Sequence, residues 1–255
     1  MNESKATVAS SSEVTPGTFL IWLEAPEIAA EAQPGQFVMV HCGSGPDLPL
    51  RRPLSIHQRQ GSRIALLFNA VGKGTTRLTG LGTGDEVDLL GPLGSGFGIN
   101  PGTKKLLLVA GGIGIAPLHF LAQEALRQGR TVTLLLGAYS ESQLYPAGLL
   151  PPGARTITAT ETGEGIMVTS LIPEFCSQAD QIFACGPMAM YRAMSLMPEL
   201  KEMPVQISLE MRMGCGVGVC YACTVKTVRG LEQVCRHGPA FEMNDIIWEW
   251  PGLQR

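Results

Sequence analysis

The chain has 255 residues, of which 45% are apolar and 16% charged, so it can bury a large core and is neither disordered nor fibrous. Its net charge of −3, without a basic run, argues against nucleic acid as a partner. Seven cysteines and no apolar signal segment in the first fifteen residues favour metal or redox chemistry over a disulfide framework. We therefore expect a cytoplasmic protein.

The first hundred residues consist of short β-rich runs separated by turn residues such as Pro34-Gly35 and Gln60-Gly61. Many short strands at this spacing predict a small antiparallel barrel. The predicted strands are Thr18–Leu23, Gln36–His41, Leu54–His57, Arg63–Asn69 and Glu86–Leu90.

From residue 101 onwards, apolar strands alternate with helical segments, which predicts a doubly wound parallel sheet. The uncharged stretch Leu106–Gln123 has the length of a membrane span, but glycines and Pro117 interrupt it. We therefore favour a buried strand, a turn and a helix, and expect no membrane contact. The strands are predicted at Lys105–Ala110, Thr131–Leu136, Arg155–Thr160 and Gln181–Ala184, and the helices at Pro117–Gln128 and Met188–Met197.

Four cysteines lie close together after residue 204, in the pattern C-x4-C-x2-C-x11-C. This is the plant-type [2Fe-2S] spacing, and the glycines between the cysteines permit the unusual backbone angles that such a loop needs. A zinc site usually requires two short cysteine pairs, and this chain has one. Disulfides would require an oxidising compartment. The predicted cluster ligands are Cys215, Cys220, Cys223 and Cys235.

Two further segments carry features of phosphate binding. The run L-L-L-V-A-G-G-I-G-I-A-P, which includes Gly111, Gly112 and Gly114, can present free N–H groups and a helix start to a pyrophosphate. A tight turn without a ligand fits that run equally well. In the barrel, Arg52 and the Gly72–Thr75 turn can bind one phosphate together, although a surface arginine and a plain hairpin are the alternatives.

These motifs together resemble a known family. R-P-L-S, G-T, G-G-I-G-I-A-P and A-C-G-P, in this order, are similar to motifs of the ferredoxin–NADP reductase superfamily. The tail S-L-E-M-R-M-G-C-G-V-G-V-C-Y-A-C, followed by C-R-H-G-P-A-F-E, resembles the electron-transfer subunit of the dihydroorotate dehydrogenase B family. The resemblance extends from about Thr18 to Trp248.

The resemblance implies an FAD-binding barrel at 1–100, an NAD-binding α/β domain at 101–203 and a small [2Fe-2S] unit at 204–255. It implies that Cys185 lies beside the nicotinamide and flavin rings as a catalytic residue, and simple packing of a buried thiol is the alternative. Asn69 stands where the family often has arginine, so it keeps a polar group without the charge. The FAD-binding positions would be Arg52, Pro53, Leu54, Ser55, Leu67, Phe68, Asn69, Gly74 and Thr75.

The family also implies a partner. An FMN-containing catalytic subunit would oxidise dihydroorotate to orotate, and electrons would pass through the cluster and FAD to NAD⁺, with two copies of each chain in the complex. A subunit of a hydrogenase or sulfide dehydrogenase complex is an alternative, as is a zinc-bearing structural interaction protein. About half of the apolar residues around the cysteine loop are expected to face the partner; they are Met211, Met213, Val217, Val219 and Tyr221.

The segment Ala138–Ser142 bears on the choice of nicotinamide. In such folds the adenosine ribose lies near the end of the strand after the glycine helix, here Thr131–Gly137. No arginine follows that could pair with a 2′-phosphate, and Glu141 would repel one. The segment predicts NAD(H), unless Glu141 merely faces solvent.

Overall fold

The computed structural model describes residues 2–43, 48–163 and 165–254. Its first part is a closed antiparallel barrel with the strand order β1-β2-β5-β4-β3-β6, as predicted. Helices α1 (Pro26–Glu31) and α2 (Lys73–Thr79) connect its strands. The strands are β1 (Asn2–Thr15), β2 (Thr18–Glu24), β3 (Phe37–Val40), β4 (Arg52–Gln60), β5 (Arg63–Asn69) and β6 (Glu86–Leu93).

The strand that closes the barrel could not be predicted from its own residues. β1 is mostly polar, and the sequence analysis did not predict it. It pairs with β2 on one side and with β6 on the other, where Glu3 lies opposite Leu90. Because both neighbours supply hydrogen-bond partners, a mostly polar strand that buries Ala6 and Val8 is sufficient.

The middle of the chain forms a parallel α/β unit. Its helices are α3 (Ile115–Arg127), α4 (Ile172–Cys176) and α5 (Met188–Ser195). α3 begins two residues before the predicted Pro117, because proline is well tolerated within the first helical turn. The strands are β7 (Lys105–Gly111), β8 (Thr131–Ala138), β9 (Arg155–Thr160), β10 (Gln181–Cys185) and β11 (Val205–Ser208).

Both faces of this sheet are covered, as in a doubly wound fold. On β7, Leu106 and Leu108 pack with α3, whereas Leu107 and Val109 pack with residues of α4 and α5 on the other face. Burial on both faces explains why β7 is a continuous apolar run rather than an alternating one. Among the described residues, no helix combines the length and the apolar character that crossing a membrane requires.

The tail contributes to the same sheet. After the cysteine loop come β12 (Thr224–Thr227), β13 (Gly230–Gln233), α6 (Val234–His237) and β14 (Ala240–Glu242). The sheet order is β14-β11-β10-β7-β8-β9, and only the edge strand β14 runs antiparallel to its neighbour. Two strands from 204–255 thus complete the sheet, and the boundaries 1–100, 101–203 and 204–255 stay a proposal.

Candidate functional site

A cavity of about 590 Å³ lies between the barrel and the tail. We call it the barrel cavity. Its wall includes eight of the nine positions predicted for FAD, together with Ile113, Ala116 and the tail segment 208–213. The eight positions are Arg52, Pro53, Leu54, Ser55, Leu67, Phe68, Asn69 and Thr75.

Gly74, the ninth position, lies behind this wall. A Cβ atom there would be 3.0 Å from Nε of Arg52, so the missing side chain lets the guanidinium lie against the start of α2. Arg52 also donates through Nη1 to the carbonyl of Leu50 at 2.6 Å. Arg51 is used elsewhere, since it pairs with Glu3 at 2.6 Å. Of the two adjacent arginines, Arg52 is therefore the one that lines the barrel cavity, and Arg212 of the tail lines it as well.

The first turn of α2 lies next to Arg52. The hydroxyl of Thr75 accepts the N–H groups of Val71 at 3.0 Å and Gly72 at 3.2 Å, which orders the entry to the helix. N–H groups of a first helical turn have no partner within the helix. Together with the guanidinium they provide the donors that a diphosphate requires.

Asn69 is oriented by the neighbouring strand. Its Oδ1 accepts the hydroxyl of Thr18 at 2.9 Å. Because the amide oxygen is engaged there, the amide nitrogen is the group left to donate towards the cavity. A neutral donor thus stands where the family often has a charged one.

A second cavity, of about 560 Å³, opens at the carboxyl ends of the parallel strands. We call it the sheet-end cavity. It is lined by Gly111 and Gly112 at the end of β7, by Gly137 to Tyr139 at the end of β8, and by Gly186 and Pro187 after β10. Ligands of open parallel sheets bind at this edge.

The glycines at the start of α3 are required for two different reasons, a left-handed backbone conformation at Gly112 and close packing at Gly114. Gly112 has φ of +55° and open space in front of its Cβ position. A Cβ atom on Gly114 would lie 1.8 Å from the carbonyl oxygen of Cys185, so only glycine lets α3 begin this close to β10. Gly114 is not part of the wall of the sheet-end cavity.

Cys185 is buried, and neither cavity wall includes its side chain. Its thiol points to the carbonyl of Ser208 at 3.9 Å, and burial raises the pKa of the thiol well above its usual range. The wall beside it consists of the next two residues, Gly186 and Pro187. Its catalytic role stays a prediction.

The two cavities meet at Ile113 and Glu210, which line both of them. Burial raises the pKa of the Glu210 carboxyl. The sequence analysis did not single out Glu210. Its position directly between a buried strand and the cysteine loop was the one sequence feature that could have indicated a role for Glu210.

The four predicted cluster cysteines come together as two pairs. The thiol of Cys220 lies next to Cys215, and the thiol of Cys223 lies next to Cys235. Among the residues that the structure describes, no three side chains converge in the way that a single metal ion requires. Two pairs of sulfur ligands fit a [2Fe-2S] cluster, in which each iron takes two thiolates.

The backbone around the loop is arranged to stabilise thiolates. Burial works against ionisation of Cys215, but N–H groups of Val217, Cys220 and Val219 and the thiol of Cys220 outweigh it and lower its pKa to about 6. Val217 donates to this sulfur at 3.4 Å. Burial and the neighbouring Cys223 raise the pKa of Cys235 to about 12. N–H groups that donate to the ligand sulfurs are expected around such a cluster, because they stabilise the thiolate charge.

The loop lies directly on the barrel. Gly216 has φ of +74°, and a Cβ atom there would be 2.5 Å from Cγ of Met39 in β3. Met211, Met213 and Val217 also pack against the core. Val219 and Tyr221, in contrast, are 72% and 69% exposed. The apolar residues around the loop therefore divide into a packed group and an exposed group.

The sequence of this chain is similar to those of known proteins. The iron–sulfur cluster binding domain of dihydroorotate dehydrogenase B matches residues 210–247. The chain is 39% identical to the dihydroorotate dehydrogenase B (NAD(+)) electron transfer subunit of Desulforamulus reducens, over 92% of this chain and 95% of the relative. Identity to the subunit of the same name from Geobacillus thermodenitrificans is 36%, over 97% and 99% of the two chains.

Among solved structures, a chain of NADH-dependent reduced ferredoxin–NADP oxidoreductase, studied for flavin-based electron bifurcation, superposes with a TM-score of 0.87. The identity is 26%, and the match covers 100% of this chain and 93% of the other. Sequence identity above 30% over nearly the full length, together with the matched cluster domain, confirms the family that the motifs predicted. The chain belongs to the family of dihydroorotate dehydrogenase B electron transfer subunits.

Proposed function

We propose that this chain passes electrons between an FMN-containing dihydroorotate dehydrogenase subunit and NAD⁺, through a [2Fe-2S] cluster and FAD. One observation carries the proposal: the barrel cavity adjoins both other sites. It shares Ile113 and Glu210 with the sheet-end cavity, and its wall includes Met213, two residues before Cys215. A flavin held in the barrel cavity would therefore lie between a dinucleotide on one side and the cluster loop on the other.

The residues of this chain would bind the cofactors and orient them relative to one another. Arg52, Gly74 and Thr75 would hold the diphosphate of FAD, and the segments 53–55 and 67–69 would enclose its ring system. Gly111, Gly112 and Gly114 would admit the dinucleotide to the sheet ends, and the four paired cysteines would hold the cluster. Bound FAD supplies the conversion between hydride transfer and single-electron transfer. The protein's contribution is placement and tuning, and Cys185 would act next to the nicotinamide.

The preferred nicotinamide is NAD(H). Tyr139, at the end of β8, lines the sheet-end cavity, and Glu141 follows it in a short 3-10 turn. No arginine lies in the segment Ala138–Ser142 to pair with a 2′-phosphate, and Glu141 would repel one. The relatives carry NAD(+) in their names, which supports the same choice.

The partner would be the catalytic subunit, with two copies of each chain in a cytoplasmic complex. Val219, Tyr221 and Leu231, the last on β13, are exposed apolar side chains in the cluster unit. An exposed aromatic residue among aliphatic ones suits a protein contact. A one-electron carrier next to that surface can exchange electrons with the docked subunit.

The test compares the chain alone with the chain plus its candidate partner. Loaded with FAD and cluster, the chain alone should reduce an artificial dye with NADH and form no orotate from dihydroorotate. Mixed with the FMN subunit, it should co-elute in size-exclusion chromatography and link orotate formation to NAD⁺ reduction. Orotate formation by the lone chain, or no NADH-dependent reduction at all, would contradict the proposal.

The TM-score of 0.87 to the ferredoxin–NADP oxidoreductase chain supports a second candidate. In that case the chain would serve as the NADH-linked subunit of a ferredoxin-coupled complex. Binding only to a ferredoxin-linked, hydrogenase or sulfide dehydrogenase subunit in the same chromatography would select that class of complex over the dihydroorotate enzyme.

A further inference from the structure

The strands β10 and β11 end at the junction of the two cavities. They run parallel, with Ile182 opposite Val205 and Ala184 opposite Ile207. The N–H of Ile182 donates to the carbonyl of Pro204 at 3.0 Å. Hydrogen bonds of a parallel ladder recur every two residues along a strand. Continued past Ala184, the pattern pairs the N–H of Gly186 with the carbonyl of Ser208.

At this position the structure contains a side chain instead of a direct ladder bond. The N–H of Gly186 donates to the hydroxyl of Tyr191 at 3.0 Å, and that hydroxyl donates to the carbonyl of Ser208 at 2.6 Å. Tyr191, on α5, is 1% exposed. Its hydroxyl is therefore inserted between two strand ends that would otherwise bond to each other.

The insertion separates the walls of two different cavities. Gly186 lines the sheet-end cavity, Ser208 lines the barrel cavity, and Glu210, two residues further on, lines both. A direct N–H to carbonyl bond holds its two atoms about 2.9 Å apart. A hydroxyl between them roughly doubles that path. The spacing of the walls at the junction thus depends on this one oxygen atom.

We propose that Tyr191 is a positioning residue: its hydroxyl holds the ends of β10 and β11 apart and so sets the distance between the nicotinamide and the flavin. This inference rests on the proposed function, because it requires a dinucleotide in the sheet-end cavity and a flavin in the barrel cavity. Tyr191 itself lines neither cavity. It acts through Gly186 on one side and Ser208 on the other.

The test substitutes Tyr191→Phe in the FAD-loaded chain and measures NADH-dependent dye reduction. A displacement of about 1 Å can cost up to two orders of magnitude in rate, so we expect kcat to fall by about tenfold or more. FAD per chain should stay at the wild-type value, and KM for NADH should change less than kcat. The long-wavelength charge-transfer absorbance between nicotinamide and flavin should weaken as well.

Thr227→Val is the matched control. Thr227 is 2% exposed, and its hydroxyl also bridges an N–H and a carbonyl, accepting from Arg229 and donating to Gly230, both at 3.2 Å. It lies in the β12–β13 hairpin and lines neither cavity. The melting temperature of this variant should fall by about as much as that of Tyr191→Phe, while its kcat should equal that of the wild type.

A Tyr191→Phe variant with wild-type kcat and charge-transfer absorbance would overturn the inference and leave Tyr191 a structural residue. If that variant does not fold, Tyr191→Met, a flexible side chain that fills the same space without a hydroxyl, takes its place with the same expected result. Failure of the proposed function is distinguishable, because the wild-type chain would then show no NADH-dependent reduction.

Discussion

Among single residues, Cys220 allows the cluster to be removed without disturbing the flavin site. Of the four paired thiols, Cys220 is the exposed one, and it lies outside the wall of the barrel cavity. Cys220→Ser replaces a thiolate by a poor iron ligand. We expect iron to fall from about two atoms per chain to a small fraction of that, with loss of acid-labile sulfide. FAD content, measured by its absorbance after extraction, should stay unchanged.

Cys176→Ser is the control for this prediction, because it makes the same substitution at a buried cysteine in α4 whose thiol points to the carbonyl of Pro173. It should retain full iron and sulfide. Full iron in Cys220→Ser, or zinc without sulfide in the wild-type chain, would show that the paired cysteines hold something other than a [2Fe-2S] cluster.

At the scale of elements, the contact between α3 and β10 depends on the absence of one side chain. In Gly114→Ala the new methyl group would meet the carbonyl oxygen of Cys185 at 1.8 Å, so α3 or β10 has to move. Overpacking of this kind costs roughly 1–3 kcal/mol and occasionally more, which corresponds to several degrees of melting temperature. Because the shift occurs at the sheet ends, the KM for NADH should also rise.

Gly148→Ala provides the comparison, since a Cβ atom there meets nothing within 4 Å and its φ is not in the left-handed region. Its melting temperature and its KM should match those of the wild type, as surface substitutions usually change stability by less than about 0.5 kcal/mol. Equal melting temperatures for the two alanine variants would disprove the packing argument for Gly114.

At the scale of the whole molecule, a buried histidine pair joins the barrel to the sheet unit. His57 of β4 bonds through Nδ1 to the carbonyl of Ala116 and through Nε2 to the hydroxyl of Tyr145, both at 2.9 Å. Its ring centroid lies 4.4 Å from that of His119 in α3. Because a carbonyl only accepts, Nδ1 of His57 carries the proton and Nε2 accepts from Tyr145.

Burial lowers the pKa of both histidines, that of His119 to about 4. A histidine whose folded-state pKa is lowered stabilises the fold above its unfolded pKa of about 6.5, and this contribution is lost as the pH falls towards the folded value. The free energy of unfolding should therefore fall between pH 6.5 and 5, by up to about 1.4 kcal/mol per pH unit for each histidine.

His119→Leu removes one of the two groups, so the difference in unfolding free energy between variant and wild type isolates its contribution. Urea unfolding at pH 7.5, 6 and 5 should show the variant gaining stability relative to the wild type as the pH falls. A difference that does not change with pH would mean that His119 takes up its proton in the folded chain as easily as in the unfolded one.

The features that could be predicted before any coordinates were known are those that local sequence patterns encode. The spacing of Cys215, Cys220, Cys223 and Cys235 predicted the cluster ligands as a set, because all but one lie within a single short loop. The apolar run of β7 followed by glycines and α3 predicted the sheet and its ligand edge, since strand and helix periodicity extend over only a few residues. The motif from Arg52 to Ser55 predicted residues that now line one cavity.

Features that depend on contacts between residues distant in the chain became visible in the folded molecule. β1 is polar and becomes a strand because β2 and β6 pair with it, and β14 joins the sheet through β11. Arg52 rather than Arg51 faces the cavity, because Glu3 engages Arg51. Tyr191 and Glu210 lie at the junction of the two cavities because β10 and β11 end side by side there. Such contacts join residues far apart in sequence, and no local period or motif records them.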